Sequence, residues 1–242
     1  LAVRVLRSYG PAVGVTLNYS PIVPMSATEE DRVAARRLDL VHNRIFLDPL
    51  LRGAYPDDYD EVLGSLTDRS FVRDGDLAII ATPIDFLGVN YYFRLHVWAG
   101  TLTTGETPHD IGVEYGLPDG PARTMLDWPI EPDGLYETLV GLREAYPGLP
   151  PIYITENGCA YPDRPDEPDE ARIAYVADHL TALRRAMAAG VDVRGYFYWS
   201  LLDNFEWARG YDPRFGLVHV DYQTQVRTPK ASYHWLRERL RS

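Results

Sequence analysis

Strand patterns alternate with helix patterns along this sequence, which predicts an α/β fold with a parallel sheet. Four apolar runs rich in β-branched and aromatic residues are typical of buried strands, at residues 13–19, 84–92, 152–156 and 193–199. Helical patterns separate these runs, so right-handed crossovers are expected between the strands. Polar or aromatic residues end each strand while Val, Ile and Leu fill it, an asymmetry that favours a (β/α)8 TIM barrel.

Residues that begin or end helices bound the segments between the strands. Thr28 is an expected N-cap, because three acidic residues that favour the helix dipole follow it. Gly190 is expected to end the helix over residues 170–189. The expected helices span residues 1–7, 28–47, 58–66, 133–146, 170–189 and 230–241. Residues 93–127 lack periodicity, so an elaborated loop over a site is expected there.

The start of the sequence suggests a fragment. Residues 1–7 read as the last turns of a helix, and Gly10 and Pro11 then end it. No Met precedes this helix. We therefore expect the chain to be a piece of a longer protein.

Composition argues against several kinds of partner. A net charge of −11 disfavours nucleic acid and anionic membranes. No apolar run approaches the roughly 20 residues of a membrane span. The single cysteine, Cys159, excludes an internal disulfide and favours a reducing, cytoplasmic location. It is expected to be a packed residue rather than a reactive thiol, because no basic motif adjoins it.

Neither a metal nor a cofactor is expected. The six histidines do not have the spacing of zinc ligands. Residues 163–169 are acidic, but they lack the spacing and the central glycine of an EF-hand. A solvated loop is therefore favoured there over a calcium site.

Residues 151–158 (PIYITENG) carry the clearest chemical signal. Asn157 and Gly158 end the strand because both tolerate positive φ. Glu156 then lies at the carboxyl end of the strand, where barrels place their active sites. A carboxylate in an apolar strand is costly to desolvate unless it is paired. This stretch alone leaves two readings open, a catalytic carboxylate and a solvent-facing strand end.

A second polar cluster follows the last strand. Residues 199–207 (WSLLDNFEW) combine two tryptophans with a Glu and an Asn. This composition is unusual for a core and suits a carbohydrate, because an indole stacks on a sugar ring and a carboxylate binds hydroxyls. The abundance of aromatics, with 17 Tyr and 5 Trp, suits the same class of ligand.

Four segments resemble glycoside hydrolase family 1, the β-glucosidase and β-galactosidase group. They are DFLGVNYY (85–92), YITENG (153–158), GYFYWSLLDNFEWARGYDPRFGLVHVDY (195–222) and RTPKASYHW (227–235). They follow the order and spacing of the family over most of the chain. The resemblance implies that residues 1–242 are the C-terminal half of one barrel domain, about four βα units equivalent to strands 5–8.

The resemblance also implies roles for individual residues. Glu156 matches the nucleophile of a retaining β-glycosidase, which forms a covalent glycosyl-enzyme intermediate. Tyr92 matches the tyrosine that hydrogen-bonds this nucleophile, and Asn90 the asparagine beside it. A cis peptide bond is implied between Trp199 and Ser200. The residues that match the sugar-binding pocket are Asn90, Trp199, Glu206, Trp207 and Phe215.

The general acid/base of the family, in an Asn-Glu-Pro motif, has no match in this sequence. Retaining hydrolysis needs two carboxyl groups about 5–5.5 Å apart. The expected partner is therefore the N-terminal half of the barrel, and the expected substrate is a β-glucoside or related oligosaccharide. The isolated chain is expected to be inactive. A non-catalytic sugar-binding half and a purely structural half-barrel are the alternatives.

Overall fold

The structure, a computed structural model, describes residues 1–64, 66–100, 111–162 and 168–241. The helices are α1 (Ala2–Arg7), α2 (Glu29–Asp39), α3 (Ile45–Leu51), α4 (Tyr59–Leu63), α5 (Asp76–Ile80), α6 (Pro132–Ala145), α7 (Glu170–Ala188) and α8 (Ala231–Arg239). The strands are β1 (Gly14–Asn18), β2 (Ile22–Pro24), β3 (Phe86–Asn90), β4 (Leu95–Ala99), β5 (Val113–Gly116), β6 (Ile152–Asn157), β7 (Val193–Tyr198), β8 (Val218–Val220) and β9 (Arg227–Pro229).

A four-stranded parallel sheet in the order β1-β3-β6-β7 forms the centre of the fold. These strands are the four that the sequence predicts, and they are neighbours in chain order. Because all four run in one direction, their carboxyl ends meet at one edge of the sheet. The sheet therefore brings together residues that lie far apart in the sequence.

The main apolar core lies between this sheet and the helices that cover it. Each fully buried aliphatic side chain contributes about 1.5–3 kcal/mol relative to an exposed one. The core includes Leu87, Val89, Leu135, Leu139, Ile152, Ile154, Leu183 and Ala186.

The helix expected over residues 28–47 is interrupted. Thr28 is its N-cap as predicted, because the Thr28 hydroxyl accepts from the backbone N–H of Asp31 at 3.4 Å. A π-helical turn at Leu40–Arg44 then separates α2 from α3. Asn43 in this turn donates to the backbone carbonyl of Ser20 at 2.9 Å, which ties the turn to the segment after β1.

The expectation that residues 93–127 form an elaborated loop is wrong. The described part of this segment contains β4 and β5, which form a second sheet in the order β2-β4-β5. Val97 of β4 is fully buried against Ala35 and Leu38 of α2. Packing on a distant helix thus decides these strands, and local alternation does not reveal such packing. Residues 101–110, like most of the acidic stretch 163–169, lie outside the described residues.

A buried carboxylate fixes the chain that follows β7. Asp203 accepts from Lys230 Nζ at 3.2 Å and from Arg214 Nη1 at 3.1 Å. It also accepts from the backbone N–H groups of Gly216 at 2.9 Å and Val220 at 3.2 Å. The Asp203 side chain has no exposed surface, and that of Lys230 is 1% exposed. Buried charges of this kind are tolerated only while they remain paired.

We expect Asp203→Ala to lower the free energy of unfolding by about 3–5 kcal/mol, because the variant leaves the buried ammonium group of Lys230 without this carboxylate. Urea denaturation of the intact protein measures the change. The matched control is Asp192→Ala, which removes an ion pair to Arg194 whose two side chains are both 57% exposed. It should cost no more than about 1 kcal/mol. Equal losses of unfolding free energy in the two variants would contradict the stabilising contribution proposed for the ion pairs and hydrogen bonds of Asp203.

Gly158 packs directly against the chain that leaves β7. A Cβ atom at this position would collide with the backbone carbonyl oxygen of Trp199. We expect Gly158→Ala to cost about 1–3 kcal/mol in free energy of unfolding, since backbone must move to admit the methyl group. Gly148→Ala is the control, because a Cβ there meets nothing within 4 Å. Thermal denaturation that fails to separate the two variants would contradict this contact.

Candidate active site

A cleft of about 420 Å³ opens at the carboxyl ends of the parallel strands. Every site residue selected from the sequence lines it: Asn90, Tyr92, Glu156, Trp199, Glu206, Trp207 and Phe215. The remaining lining residues are Asn18, Ser20, His42, Phe93, Leu95 and Trp128. The cleft is thus a concave, largely aromatic site with two carboxylates in its wall.

A β-bulge turns Glu156 into this cleft. β3 pairs Val89 with Ile154 and then Asn90 with Glu156, so β6 contains one extra residue, Thr155. Side chains alternate between the two faces of a regular strand. Without the extra residue, Glu156 would share the face of Ile154, which is buried in the core. The bulge places it on the opposite face, as bulges beside active sites commonly do.

The hydrogen bond expected between Tyr92 and Glu156 is present. The Tyr92 hydroxyl donates to Oε2 of Glu156 at 2.8 Å. Burial, and then the negative charge of Glu156, raise the pKa of Tyr92 well above its ordinary value. The phenol therefore keeps its proton across the physiological pH range and holds the carboxylate in one orientation. Asn90 lies alongside, where its Oδ1 accepts from the Thr155 hydroxyl at 2.7 Å.

Glu206 is held by two N–H donors. Its Oε1 accepts from Trp199 Nε1 at 3.2 Å and from Asn204 Nδ2 at 2.8 Å. The peptide bond between Trp199 and Ser200 is cis, as the sequence analysis expects. These contacts link the indole of Trp199 to the carboxylate, so both side chains face the cleft as one unit.

The loop after Glu206 presents a tryptophan to solvent. The backbone N–H of Glu206 donates to the carbonyl of Gly210 at 2.7 Å, which closes a tight loop. Within it, Trp207 has a φ of 48°, a left-handed conformation that is uncommon for a bulky residue. Trp207 is 83% exposed, more than most of the other exposed large hydrophobic residues in the described chain. An exposed indole at the edge of a cleft can stack on a flat ring.

Trp128 is a cleft residue that the sequence analysis does not select. Its ring lies 5.2 Å from that of Tyr92 in an edge-on arrangement and 6.0 Å from that of Phe215 in a tilted one. Aromatic pairs prefer such geometries. The signal in the sequence is a tryptophan directly before Pro129, between the expected loop at 93–127 and the helix expected from residue 133.

Arg172 is the second residue that sequence reasoning missed. Its Nη1 donates to the backbone carbonyls of Cys159 at 2.6 Å and Phe215 at 3.2 Å. The helical spacing of α7 carried a signal, since Arg172 begins the buried stripe that continues at Tyr175. Cys159 itself is fully buried, as expected of a packed residue.

Across residues 1–64, 66–100, 111–162 and 168–241, no group of three or more His, Cys, Asp or Glu side chains is arranged to hold a metal ion. None of the helices in these same ranges has both the length and the apolar character that crossing a bilayer requires.

The chain is similar to known glycosidases over nearly its whole length. It matches the family model described as Glycosyl hydrolase family 1 over residues 3–242. A bifunctional β-D-glucosidase/β-D-fucosidase of Bifidobacterium breve is 43% identical, over 98% of this chain and 53% of the relative. The psychrophilic β-glucosidase BglU of Micrococcus antarcticus superposes with a TM-score of 0.90 at 44% identity, covering 97% of this chain and 54% of that one.

A further solved structure is virulence factor SghA of Agrobacterium tumefaciens, with a TM-score of 0.88 at 38% identity, covering 97% of this chain and 52% of that one. SghA has also been solved with its substrate analog salicin.

The chain spans about half the length of the curated relatives it matches. Its four-stranded parallel sheet, with helices covering one face, forms part of a TIM barrel. This chain belongs to glycosyl hydrolase family 1, and its curated relatives include β-glucosidases.

Proposed function

We propose that the protein containing this chain is a retaining β-glycosidase of the β-glucosidase type, with Glu156 as its nucleophile. The Tyr92–Glu156 hydrogen bond of 2.8 Å carries this proposal. A carboxylate nucleophile must be directed at the anomeric carbon, and a phenol donor on one oxygen leaves the other free to attack. Residues 1–242 are then one part of a single catalytic domain.

The reaction has two steps. In the first, an oxygen of Glu156 bonds to the anomeric carbon as the bond to the leaving oxygen breaks, and a general acid protonates that oxygen. In the second, water attacks the glycosyl ester, the same group takes a proton from the water, and the Glu156 carboxylate is released. Two inversions at the anomeric carbon give net retention.

The remaining cleft residues bind the terminal sugar. Trp199 and Trp207 offer indole faces to the C–H surface of the ring, and Phe215 adds an apolar wall. Glu206 accepts hydrogen bonds from sugar hydroxyls through the oxygen that Trp199 and Asn204 leave unoccupied. The lining residues in the described chain include two carboxylates and no Lys or Arg. This charge suits an uncharged glycone such as glucose.

The general acid/base comes from outside this chain. Glu206 is the other carboxylate of the cleft, but both of its donors address Oε1, which suits a hydroxyl-binding group rather than a proton source. We assign the acid/base to the N-terminal half of the barrel, which is the proposed partner of these residues. The cytoplasmic location inferred from composition stays a prediction.

In the full-length enzyme, Glu156→Gln should reduce kcat for an aryl β-glucoside by at least about 10³-fold, because the amide cannot form the glycosyl ester. Sugar binding should change little, since Glu206 and the aromatic walls are untouched. Steady-state kinetics and a glucose-binding titration measure both quantities. Glu144→Gln, an exposed position on α6, is the control and should retain turnover. Substantial turnover by Glu156→Gln would contradict the proposed role.

Residues 1–242 alone should turn over an activated aryl β-glucoside at least about 10²-fold more slowly than the full-length enzyme, since general acid–base assistance is absent. The same chain carrying Glu156→Gln gives the background rate. Addition of the N-terminal half in trans should raise the rate above that background. Full turnover by the isolated chain would show that the acid/base lies within it.

A further inference from the structure

We propose that Asn157 anchors the bulge of β6 and thereby keeps Glu156 within reach of Tyr92. The inference rests on the proposed role of Glu156 as nucleophile and adds a positioning residue to that reaction. Asn157 is not among the residues that line the cleft. It is fully buried on the opposite face of the strand, so it acts on the site through its neighbours.

The amide of Asn157 joins three elements. Its Nδ2 donates to the backbone carbonyl of Tyr91 at 2.9 Å and to the hydroxyl of Tyr175 on α7 at 3.0 Å. Its Oδ1 accepts from the hydroxyl of Tyr196 on β7 at 2.8 Å. Both amide hydrogens and the carbonyl oxygen are therefore used. A side chain with donors and an acceptor at this length is required, because Asp would lose both donated bonds.

The hydrogen bond from Asn157 to the Tyr91 carbonyl takes the place of a backbone ladder bond where the bulge interrupts the sheet. The backbone N–H of Tyr91 donates to the carbonyl of Glu156 at 2.9 Å, as in a regular ladder. The carbonyl of Tyr91 accepts from the Asn157 side chain instead of continuing that ladder. A buried carbonyl needs a partner, so the side-chain bond stabilises the bulged register against the regular one. The regular register is the one that would turn Glu156 into the core.

The same amide controls the backbone of the residue that orients Glu156. Tyr92 follows Tyr91 directly, so the bond to the Tyr91 carbonyl fixes the peptide plane that enters Tyr92. The Tyr175 hydroxyl, held by Asn157, lies 3.5 Å from the carbonyl of Tyr92. Both peptide planes flanking Tyr92 are thus tied to Asn157. Asn157, behind the sheet, therefore positions both Tyr92 and Glu156.

Two of these partners remain neutral at physiological pH. Burial raises the pKa of Tyr175 and of Tyr196 well above the ordinary value for a phenol. Tyr196 therefore continues to donate to Asn157, and Tyr175 keeps its proton while it accepts from the amide. The hydrogen bonds between Asn157 and these two tyrosines therefore do not change with pH in the physiological range.

A double-mutant cycle between Asn157→Ala and Tyr92→Phe in the full-length enzyme tests the proposal, with an aryl β-glucoside as substrate. Asn157→Ala should lower kcat about 100-fold, because a displaced nucleophile loses its alignment. KM should change less than about threefold, since the sugar-binding residues stay in place. Tyr92→Phe should lower kcat in the parent enzyme and have little further effect in the Asn157→Ala background, because the same pairing is already lost.

Tyr146→Phe is the structural control. It removes a buried hydrogen bond of 2.6 Å to Asp48, and neither residue lines the cleft. It should lower Tm, retain kcat, and leave the effect of Tyr92→Phe unchanged. If Asn157→Ala does not fold, Tyr196→Phe and Tyr175→Phe remove the bonds of the amide singly and enter the same cycle.

Two outcomes would overturn the proposal: a lowered Tm with unchanged kcat in Asn157→Ala, or independent effects of the two substitutions on kcat. Retained turnover in Glu156→Gln would instead overturn the proposed function. If Glu156→Gln is inactive while Asn157→Ala turns over normally, only the role of Asn157 fails.

Discussion

One buried cation, the guanidinium of Arg172 at the start of α7, holds the segments that build the cleft. Its side chain has no exposed surface, and Asp169 Oδ2 lies 3.5 Å from its Nε. It donates to the carbonyl of Cys159 after β6, and to those of Arg214 and Phe215 in the chain after β7. A buried charge is costly unless paired and hydrogen-bonded. Arg172 can therefore stay buried only while both segments keep their places, which couples the loop behind the candidate nucleophile to the sugar-binding loop.

The chemistry of the site depends on the point where the sheet stops being regular. Strict alternation along β6 would place a carboxylate in the core, where its charge is costly to desolvate, and an amide in the cleft. The extra residue at Thr155 reverses these positions, and the buried phenols behind the strand receive Asn157. The irregular turn continues at Gly158, whose missing side chain admits the carbonyl of Trp199. Tyr175 on α7, the bulge at Thr155 and Gly158 therefore all constrain the backbone at the end of β6.

Local sequence patterns predict the central strands and their chain order. The four central strands are continuous apolar runs, so their positions and parallel order follow from the pattern. All seven residues selected from strand ends or from the family resemblance line the cleft. Local patterns do not predict features that depend on contacts between residues distant in sequence. β4 is stabilised by burial of Val97 against α2. The bulge in β6 depends on the register between β6 and β3. The role of Arg172 is not visible in the local sequence for the same reason, because the carbonyl groups it binds belong to other segments.

The most direct test of the central claim is to identify the side chain that carries the glycosyl intermediate. A 2-deoxy-2-fluoro-β-glucoside with a good leaving group forms the ester with the full-length enzyme, and the fluorine slows its hydrolysis by destabilising the oxocarbenium-like transition state. Peptide mass spectrometry should then find one fluorosugar per enzyme molecule, on the peptide containing Glu156 and attached to that residue. Attachment to another side chain, or turnover of β-glucosides without any covalent adduct, would contradict the account.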